Sequence, residues 1–342
     1  MPSHVGIMST VAAVFVAASV YVGQRAYNEL KRALSEAIAR RNRLALQLMS
    51  TRNSRMHSEV SVRAGREFKP KPTDVFVVTY PKCGTTWVTQ IVHALRTRAS
   101  MDFGEITEVV PWDILAADCK QDLDAPQVAQ PRVFKSHEGW KDVAKGGRYI
   151  YVARNPEDAF WSFFKFLPSF AGLRSGDIDE ETFMQAIFAG ASHSGLIWHH
   201  FLGWWEQRRR PDVLWVLFED LTADLRSEVV RIASFVGIDA DDALIDDVVR
   251  VSSFAFMSAP ENRHHYDESF TKSHVYRQMG LEVAQAQDVI KVNRGQVGSR
   301  RSLPASLKVR LAAKWDAVLA GPTGCANYDA FAEKVRRLRT PP

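Results

Sequence analysis

The residue types best suited to chemistry in this 342-residue chain are concentrated in residues 79–87, which read TYPKCGTTW. The chain enters this stretch through the β-prone residues Val75–Thr79, and apolar residues recur at helical spacing after it. The pattern predicts a buried strand, a tight loop and a helix. Backbone N–H groups at the start of such a helix attract anions, and glycine lets a ligand approach the backbone. The loop therefore predicts a phosphate or sulfate site built by Lys82, Gly84, Thr85 and Thr86.

This loop does not fit a Walker A motif, which has the order G-x-x-x-x-G-K-[ST]. Here Lys82 precedes Gly84, the only glycine of the loop, by two positions. An ordinary strand-to-helix turn with a solvated lysine is the alternative interpretation, and the segments that follow favour the anion site.

A second predicted strand, 131–137, ends in Lys135 and His137. Residues two apart on a strand point to the same side. In a parallel α/β sheet, binding and chemistry gather at the carboxyl ends of the strands. The pair is therefore a candidate for catalysis beside the anion loop, with a purely structural histidine as the alternative.

A third predicted strand ends in Arg154, just before Asn155-Pro156 opens a helix that carries Ser162. Arginine matches the planar, bidentate geometry of phosphate oxygens better than lysine does. Arg154 is thus a second candidate anion ligand, and a salt bridge to Glu157 or Asp158 is the alternative.

The net charge of +5 at pH 7 is unevenly distributed along the chain. Residues 1–72 hold twelve Lys/Arg and four Glu, which leaves residues 73–342 with a net charge of −3. That balance gives no basic footprint for DNA or RNA, so nucleic acid is not expected as a partner. Three cysteines without metal-ligand spacing indicate reduced thiols, and His264, His265 and Asp267 lack further ligands, so no metal is expected.

The N-terminal part differs from the rest in composition. Residues 5–23 carry no charge, and the length of this run is close to the ~20 residues that cross a bilayer. Basic residues follow the run, which by the positive-inside tendency places the rest of the chain on the cytosolic side. The run predicts a membrane anchor within residues 1–24. The alternatives are a cleaved peptide that targets the protein to an organelle, or a helix that docks on the domain. Residues 25–72 predict a basic helical stalk and, from Thr51, a polar linker, followed by one domain over 73–342.

Taken in order, these segments resemble the cytosolic-type sulfotransferase family, which transfers a sulfuryl group from 3′-phosphoadenosine-5′-phosphosulfate (PAPS) to an acceptor. Residues 79–87 are similar to the family's T-Y-P-K-[ST/A]-G-T-T-W loop, Phe134–His137 to F-K-T-H, and 152–162 to V-x-R-N-x-x-D…S. His200, Gly203, Trp204 and Trp205 match W-x-x-H-x-x-G-W-W, with Trp198 one position nearer the histidine than the first tryptophan of that pattern. Phe218–Asp220 resembles Y-E-D. The resemblance spans roughly residues 70–320. It implies a single P-loop-like, three-layer α/β domain with a central parallel sheet flanked by helices, preceded by the N-terminal hydrophobic and basic helical extension.

The resemblance also implies residue roles. His137 is the general base for a hydroxyl or amine acceptor, while Lys82 and Lys135 stabilise charge around the transferred group, with PAPS as co-substrate and no metal. The implied donor-binding residues are Lys82, Cys83, Gly84, Thr85, Thr86, Trp87, Arg154, Ser162, Phe218, Ser252, Phe254, Asn293, Arg294 and Gly295.

The chain departs from the family pattern near its C-terminus. The family's R-K-G-x-x-G-D-W becomes NRGQVGSR at residues 293–300, which loses one basic group for the 3′-phosphate. Arg154, Ser162 and Arg294 remain to hold it. No K-T-V-E-type dimer segment is found, so the oligomeric state stays open.

The acceptor is expected to be a small-molecule or lipid-like compound, because several aromatic residues predict an apolar pocket. Each of them also fits an ordinary core position. They are Phe103, Trp112, Phe164 and Phe166.

Three other classes of protein fit less well. A P-loop nucleotide kinase needs a Walker loop and an acidic Mg²⁺ ligand at a strand end, and the sequence shows neither clearly. A binding protein that has lost catalysis is opposed by the intact Lys82, Lys135 and His137. A lumenal carbohydrate-type sulfotransferase is opposed by the basic residues after the apolar run and by the odd cysteine count.

Overall fold

The computed structural model describes residues 4–190, 192–282 and 303–339, with residues 4–20 described by their backbone. The predicted donor-binding residues Asn293, Arg294 and Gly295 lie outside the described residues.

A parallel four-stranded sheet forms the centre of the fold, as the sequence predicts. Its strands are β1 Val75–Thr79, β2 Val133–Ser136, β3 Arg148–Ala153 and β4 Val213–Leu217, in the order β2-β1-β3-β4. The chain runs from β1 to β2 on one side and then crosses to β3 on the other side. The carboxyl end of β1 is therefore a topological switch point, the position where α/β sheets bind their ligands.

Helices flank the sheet and extend the chain at both ends. Their bounds are α1 His4–Ser54, α2 Glu59–Glu67, α3 Thr85–Thr97, α4 Ile106–Val109, α5 Pro156–Phe170, α6 Glu180–Phe188, α7 Ile197–Trp205, α8 Phe218–Ala223, α9 Leu225–Val236, α10 Asp242–Val251, α11 Phe254–Ser258, α12 Ser269–Met279, α13 Ala305–Trp315, α14 Gly321–Thr323 and α15 Tyr328–Arg337.

Both faces of the sheet are buried, which explains the nearly continuous apolar strands. Because side chains alternate along a strand, Val75 and Val77 of β1 point to one face and pack with residues of α3, α9 and α10. Phe76 and Val78 point to the opposite face and pack with residues of α5 and α7. The predicted three-layer arrangement of helices on both sides of a parallel sheet is confirmed.

One predicted strand was too long. The sequence predicts a strand over 212–221, but β4 ends at Leu217 and α8 begins at Phe218. Glu219 and Asp220 lie in the first turn of α8, where the helix dipole favours acidic side chains. The predicted Phe218–Asp220 motif therefore lies at the start of a helix.

The N-terminal segment is helical and partly packed on the domain. Residues 21–41 of α1 are exposed, whereas Met49 further along the same helix is buried in the core. The predicted linker from Thr51 includes α2, whose Gly65 lies so close to Asp113 that an added Cβ would be 2.5 Å from its carbonyl oxygen. The predicted boundary at 72/73 stays a prediction. Among the helices in the described ranges, none is long and apolar enough to cross a membrane. The predicted anchor within residues 1–24 stays a prediction.

Candidate active site

The predicted anion loop lies between β1 and α3 and has a backbone that most residues avoid. Lys82 and Gly84 have φ angles of 69° and 107°, in the left-handed region. A Cβ on Gly84 would also lie 2.9 Å from Cδ2 of Phe218, so both backbone conformation and space require glycine here. The ammonium of Lys82 lies 3.9 Å from the centre of the Phe166 ring.

A cavity lies at the carboxyl ends of the strands and brings most of the predicted site residues together. The predicted residues that line it are Lys82, Gly84, Thr85, Thr86, Trp87, Trp112, Lys135, His137, Arg154, Ser162, Phe166, Phe218 and Phe254.

His137 is buried in this cavity with a defined tautomer. Its Nδ1 lies 2.9 Å from the carbonyl oxygen of Thr79, which can only accept a hydrogen bond, so Nδ1 carries the proton and Nε2 keeps its lone pair. Burial and the nearby Lys135 ammonium lower the pKa of His137 well below its ordinary value. The imidazole is therefore neutral at physiological pH and can accept a proton through Nε2.

His200 on α7 contacts the backbone of His137. The Tyr151 hydroxyl lies 2.8 Å from Nδ1 of His200, and His200 Nε2 lies 3.3 Å from the backbone carbonyl of His137. Since that carbonyl accepts, Nε2 of His200 donates, and its Nδ1 accepts from Tyr151. His200, the histidine of the W-x-x-H-x-x-G-W-W segment, thus helps to fix the backbone at His137.

Lys135 is buried beside an acidic residue and an indole. Its ammonium lies 3.9 Å from the Trp112 ring centre and 4.0 Å from Oε1 of Glu268. Sequence reasoning missed Glu268, which also lines the cavity and has a φ of 63°. No motif marks it, because its proximity to Lys135 arises only from the fold.

Arg154 connects the two predicted anion-binding segments. Its guanidinium donates to the Lys82 carbonyl at 3.0 Å and stacks on Phe218 at 4.1 Å. Its Nε is buried, and no hydrogen-bond partner for it is found among the described residues. Such an orphaned charged donor fits an anion bound in the cavity.

Trp87 and Phe218 form an aromatic edge of the cavity. Their rings meet edge to face at 5.4 Å, and the Trp87 indole N–H donates to the carbonyl of Ser252 at 2.7 Å. The hydroxyl of Ser252 is buried, with no hydrogen-bond partner in the described part of the chain. This edge of the cavity therefore presents the rings of Trp87 and Phe218.

Four of the predicted site residues in the described part of the chain do not line the cavity. The side chain of Cys83 is buried in the core, and burial raises the pKa of its thiol to about 12. Ser252 contacts Trp87 through its backbone carbonyl, and its buried hydroxyl is not part of the cavity lining. Phe103 packs against His93 and His265, and Phe164 packs against Trp161 and Phe183, so both half-buried rings pack against the hydrophobic core and lie outside the cavity lining.

Several lining residues carry no motif in the sequence. They are Asn53, Met56, His57, Phe163, Leu167, Phe170, Ser192, His193, Ser194 and Met257. For α5 a signal exists, because positions 163, 166, 167 and 170 follow the spacing of one helix face. The described residues contain no group of three or more His, Cys, Asp or Glu that could hold a metal ion.

Comparisons with known proteins show the family of the chain. A family model described as the sulfotransferase domain matches residues 72–302. The chain is 28% identical over 201 residues to Sulfotransferase 1E1 of Bos taurus, in an alignment that covers 56% of this chain and 68% of that relative. It is 30% identical over 202 residues to the amine sulfotransferase of Oryctolagus cuniculus, covering 56% of this chain and 65% of the relative.

Two solved structures share the fold. Mouse sulfotransferase SULT7A1 complexed with PAP has a TM-score of 0.58 at 20% identity and covers 77% of this chain and 91% of its own. Retinol dehydratase in complex with androsterone and inactive cofactor PAP has a TM-score of 0.59 at 19% identity and covers 75% and 84%.

The matched family model covers more than half of the chain, so the chain belongs to the sulfotransferase family. This confirms the predicted class of enzyme, a sulfotransferase.

Proposed function

We propose that this protein transfers the sulfuryl group of PAPS to a hydroxyl or amine of a small-molecule or lipid-like acceptor, with His137 as the general base. The observation that carries the proposal is the state of His137, neutral and with the Nε2 lone pair left free by the bond from Nδ1 to Thr79. As the acceptor oxygen or nitrogen forms its bond to sulfur, Nε2 takes the proton that the acceptor loses.

The basic residues of the cavity act on the other side of the reaction. As the bond from sulfur to the bridging phosphate oxygen breaks, negative charge grows on that oxygen, and Lys82 is the cation assigned to it. Lys135 stabilises charge around the sulfuryl group, because its ammonium lies near His137 in the same cavity. Catalysis of this kind depends on positioning and electrostatics, as in phosphoryl transfer.

Donor binding is assigned to the anion loop, Trp87, Arg154 and Ser162. The fit is supported by the orphaned Nε of Arg154 and by the need for glycine at position 84. Asn293, Arg294 and Gly295 complete the proposed donor site from outside the described residues. The catalytic domain is assigned to residues 73–342.

The test is transfer of labelled sulfate from PAPS to a panel of phenols, alcohols and amines. His137→Asn keeps an N–H for the Thr79 carbonyl but removes the base, so it should lower the rate by about 10²–10⁴ while affinity for adenosine 3′,5′-bisphosphate is retained. His199→Ala removes an exposed histidine outside the cavity and serves as the matched control. Equal labelling by the wild type and His137→Asn would contradict the proposed role of His137.

A further inference from the structure

The N-terminal segment supplies one wall of the active-site cavity through Asn53, Met56 and His57. Two contacts with the domain fix this wall. The amide of Ser58 donates to Oδ2 of Asp118 at 2.8 Å, and the side-chain amide of Gln278 donates to the carbonyl of Met56 at 2.7 Å. His57 lies between these two contacts, so its position is determined by the domain as well as by its own chain.

The ring of His57 packs between two other rings of the cavity. It stacks on His193 with 4.8 Å between centroids and an angle of 23°, and it meets the edge of Trp112. Trp112 also contacts His137. Because the Trp112 ring centre is 5.2 Å from His57 and 5.0 Å from His137, the two histidine rings are no more than about 10 Å apart. A molecule the size of two aromatic rings can span that distance.

The chemistry of His57 points to a ligand. Its Nε2 atom is buried, and no described protein atom forms a hydrogen bond with it. Burial, and then the neighbouring His193, lower the pKa of His57 to about 3, so the imidazole is neutral at physiological pH. Buried polar atoms are normally paired, and a neutral imidazole suits a neutral oxygen, to which it donates or from which it accepts a hydrogen bond.

The surface between the two histidines is mainly apolar. Met56, Trp112, Phe166 and Phe170 line the same cavity. A ligand that reaches both imidazoles should therefore have a mainly apolar body, because apolar surface is buried against these side chains at a lower cost than polar or charged groups.

We propose that His57 binds a second neutral oxygen of the acceptor, so that the preferred acceptors have an apolar body with a hydroxyl or carbonyl at the end opposite the sulfated group. This inference rests on the proposed function, because the first oxygen is the one beside His137. It makes His57 a specificity-determining residue contributed by the N-terminal segment.

The test compares two probes that differ by one distal hydroxyl, 4,4′-dihydroxybiphenyl and 4-phenylphenol. Their affinities for protein saturated with adenosine 3′,5′-bisphosphate are measured by calorimetry, and their sulfation by transfer of labelled sulfate. After correction for its two equivalent hydroxyls, we expect the diol to bind roughly tenfold more tightly than the mono-ol, the size of one hydrogen bond. In His57→Ala the two affinities should become equal.

Two further variants distinguish the loss of one hydrogen bond from a general folding defect. His57→Gln keeps a hydrogen-bonding side chain and should retain part of the preference for the diol, while His199→Ala should retain all of it. The inference would be overturned by equal affinities of the two probes for the wild type, which includes no detectable binding of either. A preference for the diol that persists in His57→Ala would also overturn it. Failure to bind the bisphosphate would overturn the proposed function itself, and that result is read before any acceptor is added.

Discussion

At the scale of single residues, the site depends on which polar groups are already satisfied. His137 has a protein partner at Nδ1, whereas Arg154 uses one N–H on the Lys82 carbonyl and leaves Nε without a described partner. A buried donor left in this state gains most from an anionic ligand, because hydrogen bonds to charged groups are about twice as strong as neutral ones. The 3′-phosphate of the donor is the anion that the proposed function assigns to it.

Arg154→Gln should therefore lower the affinity for adenosine 3′,5′-bisphosphate by roughly 10- to 100-fold, the size of a charged hydrogen bond. Affinity for adenosine 5′-phosphate, which lacks the 3′-phosphate, should change little. Both are measured by calorimetry. An equal loss for both nucleotides would instead mean that Arg154 acts by holding the loop at Lys82.

At the scale of elements, the docking of α2 matters because it holds the N-terminal wall of the cavity. α2 approaches the turn Asp113–Leu115 so closely that only glycine fits at position 65, where the nearest atoms are backbone and cannot turn away. Arg66 on the same helix pairs with the buried Glu138 at 2.7 Å. Burial alone would raise the pKa of Glu138, but hydrogen bonds from His193 and Arg66 lower it below its ordinary value.

Gly65→Ala should push α2 away from the domain and lower the free energy of unfolding by about 1–3 kcal/mol, the usual cost of overpacking. Urea unfolding followed by circular dichroism measures it. Gly23→Ala is the matched control, because nothing lies within 4 Å of the added Cβ and alanine favours the helix. An unchanged stability of Gly65→Ala would show that α2 is not tightly docked.

At the scale of the whole molecule, buried neutral histidines tie stability to pH. Burial lowers the pKa of His57 and His93 to about 3 and that of His200 to about 4. Below pH 6.5 each is protonated in the unfolded chain but stays neutral in the folded one, so the unfolded state binds more protons. Asp113 opposes this trend, because burial raises its pKa to about 7 and the folded state then holds one extra proton.

The histidines outnumber the aspartate, so the free energy of unfolding should fall as the pH falls from 6.5 to 4.5. The expected slope is about 1.4 kcal/mol per pH unit for each net proton. Urea unfolding at several pH values measures this slope. His93→Gln should make it shallower by about 1.4 kcal/mol per pH unit, the contribution of one proton. Stability that stays constant or rises on acidification would contradict this account.

The sequence alone determined the features that are local in the chain. A run of β-prone residues followed by Lys82 and Gly84 predicts a strand, an anion loop and a helix, and β1 has the predicted bounds, Val75–Thr79. Strand ends carrying His137 and Arg154 could also be predicted to lie together, because parallel strands place their carboxyl ends at one edge.

Only the tertiary structure decided which aromatic residues face the cavity and which distant segment closes it. Phe164 and Phe166 are two residues apart on α5 and thus about 200° apart around the helix, so Phe164 packs against Trp161 and Phe183 whereas Phe166 lines the cavity beside Lys82. The sequence carries the helical period but not the direction of each face. His57 reaches the cavity across a separation of 80 residues from His137, a contact that local patterns do not encode because it depends on how α2 docks.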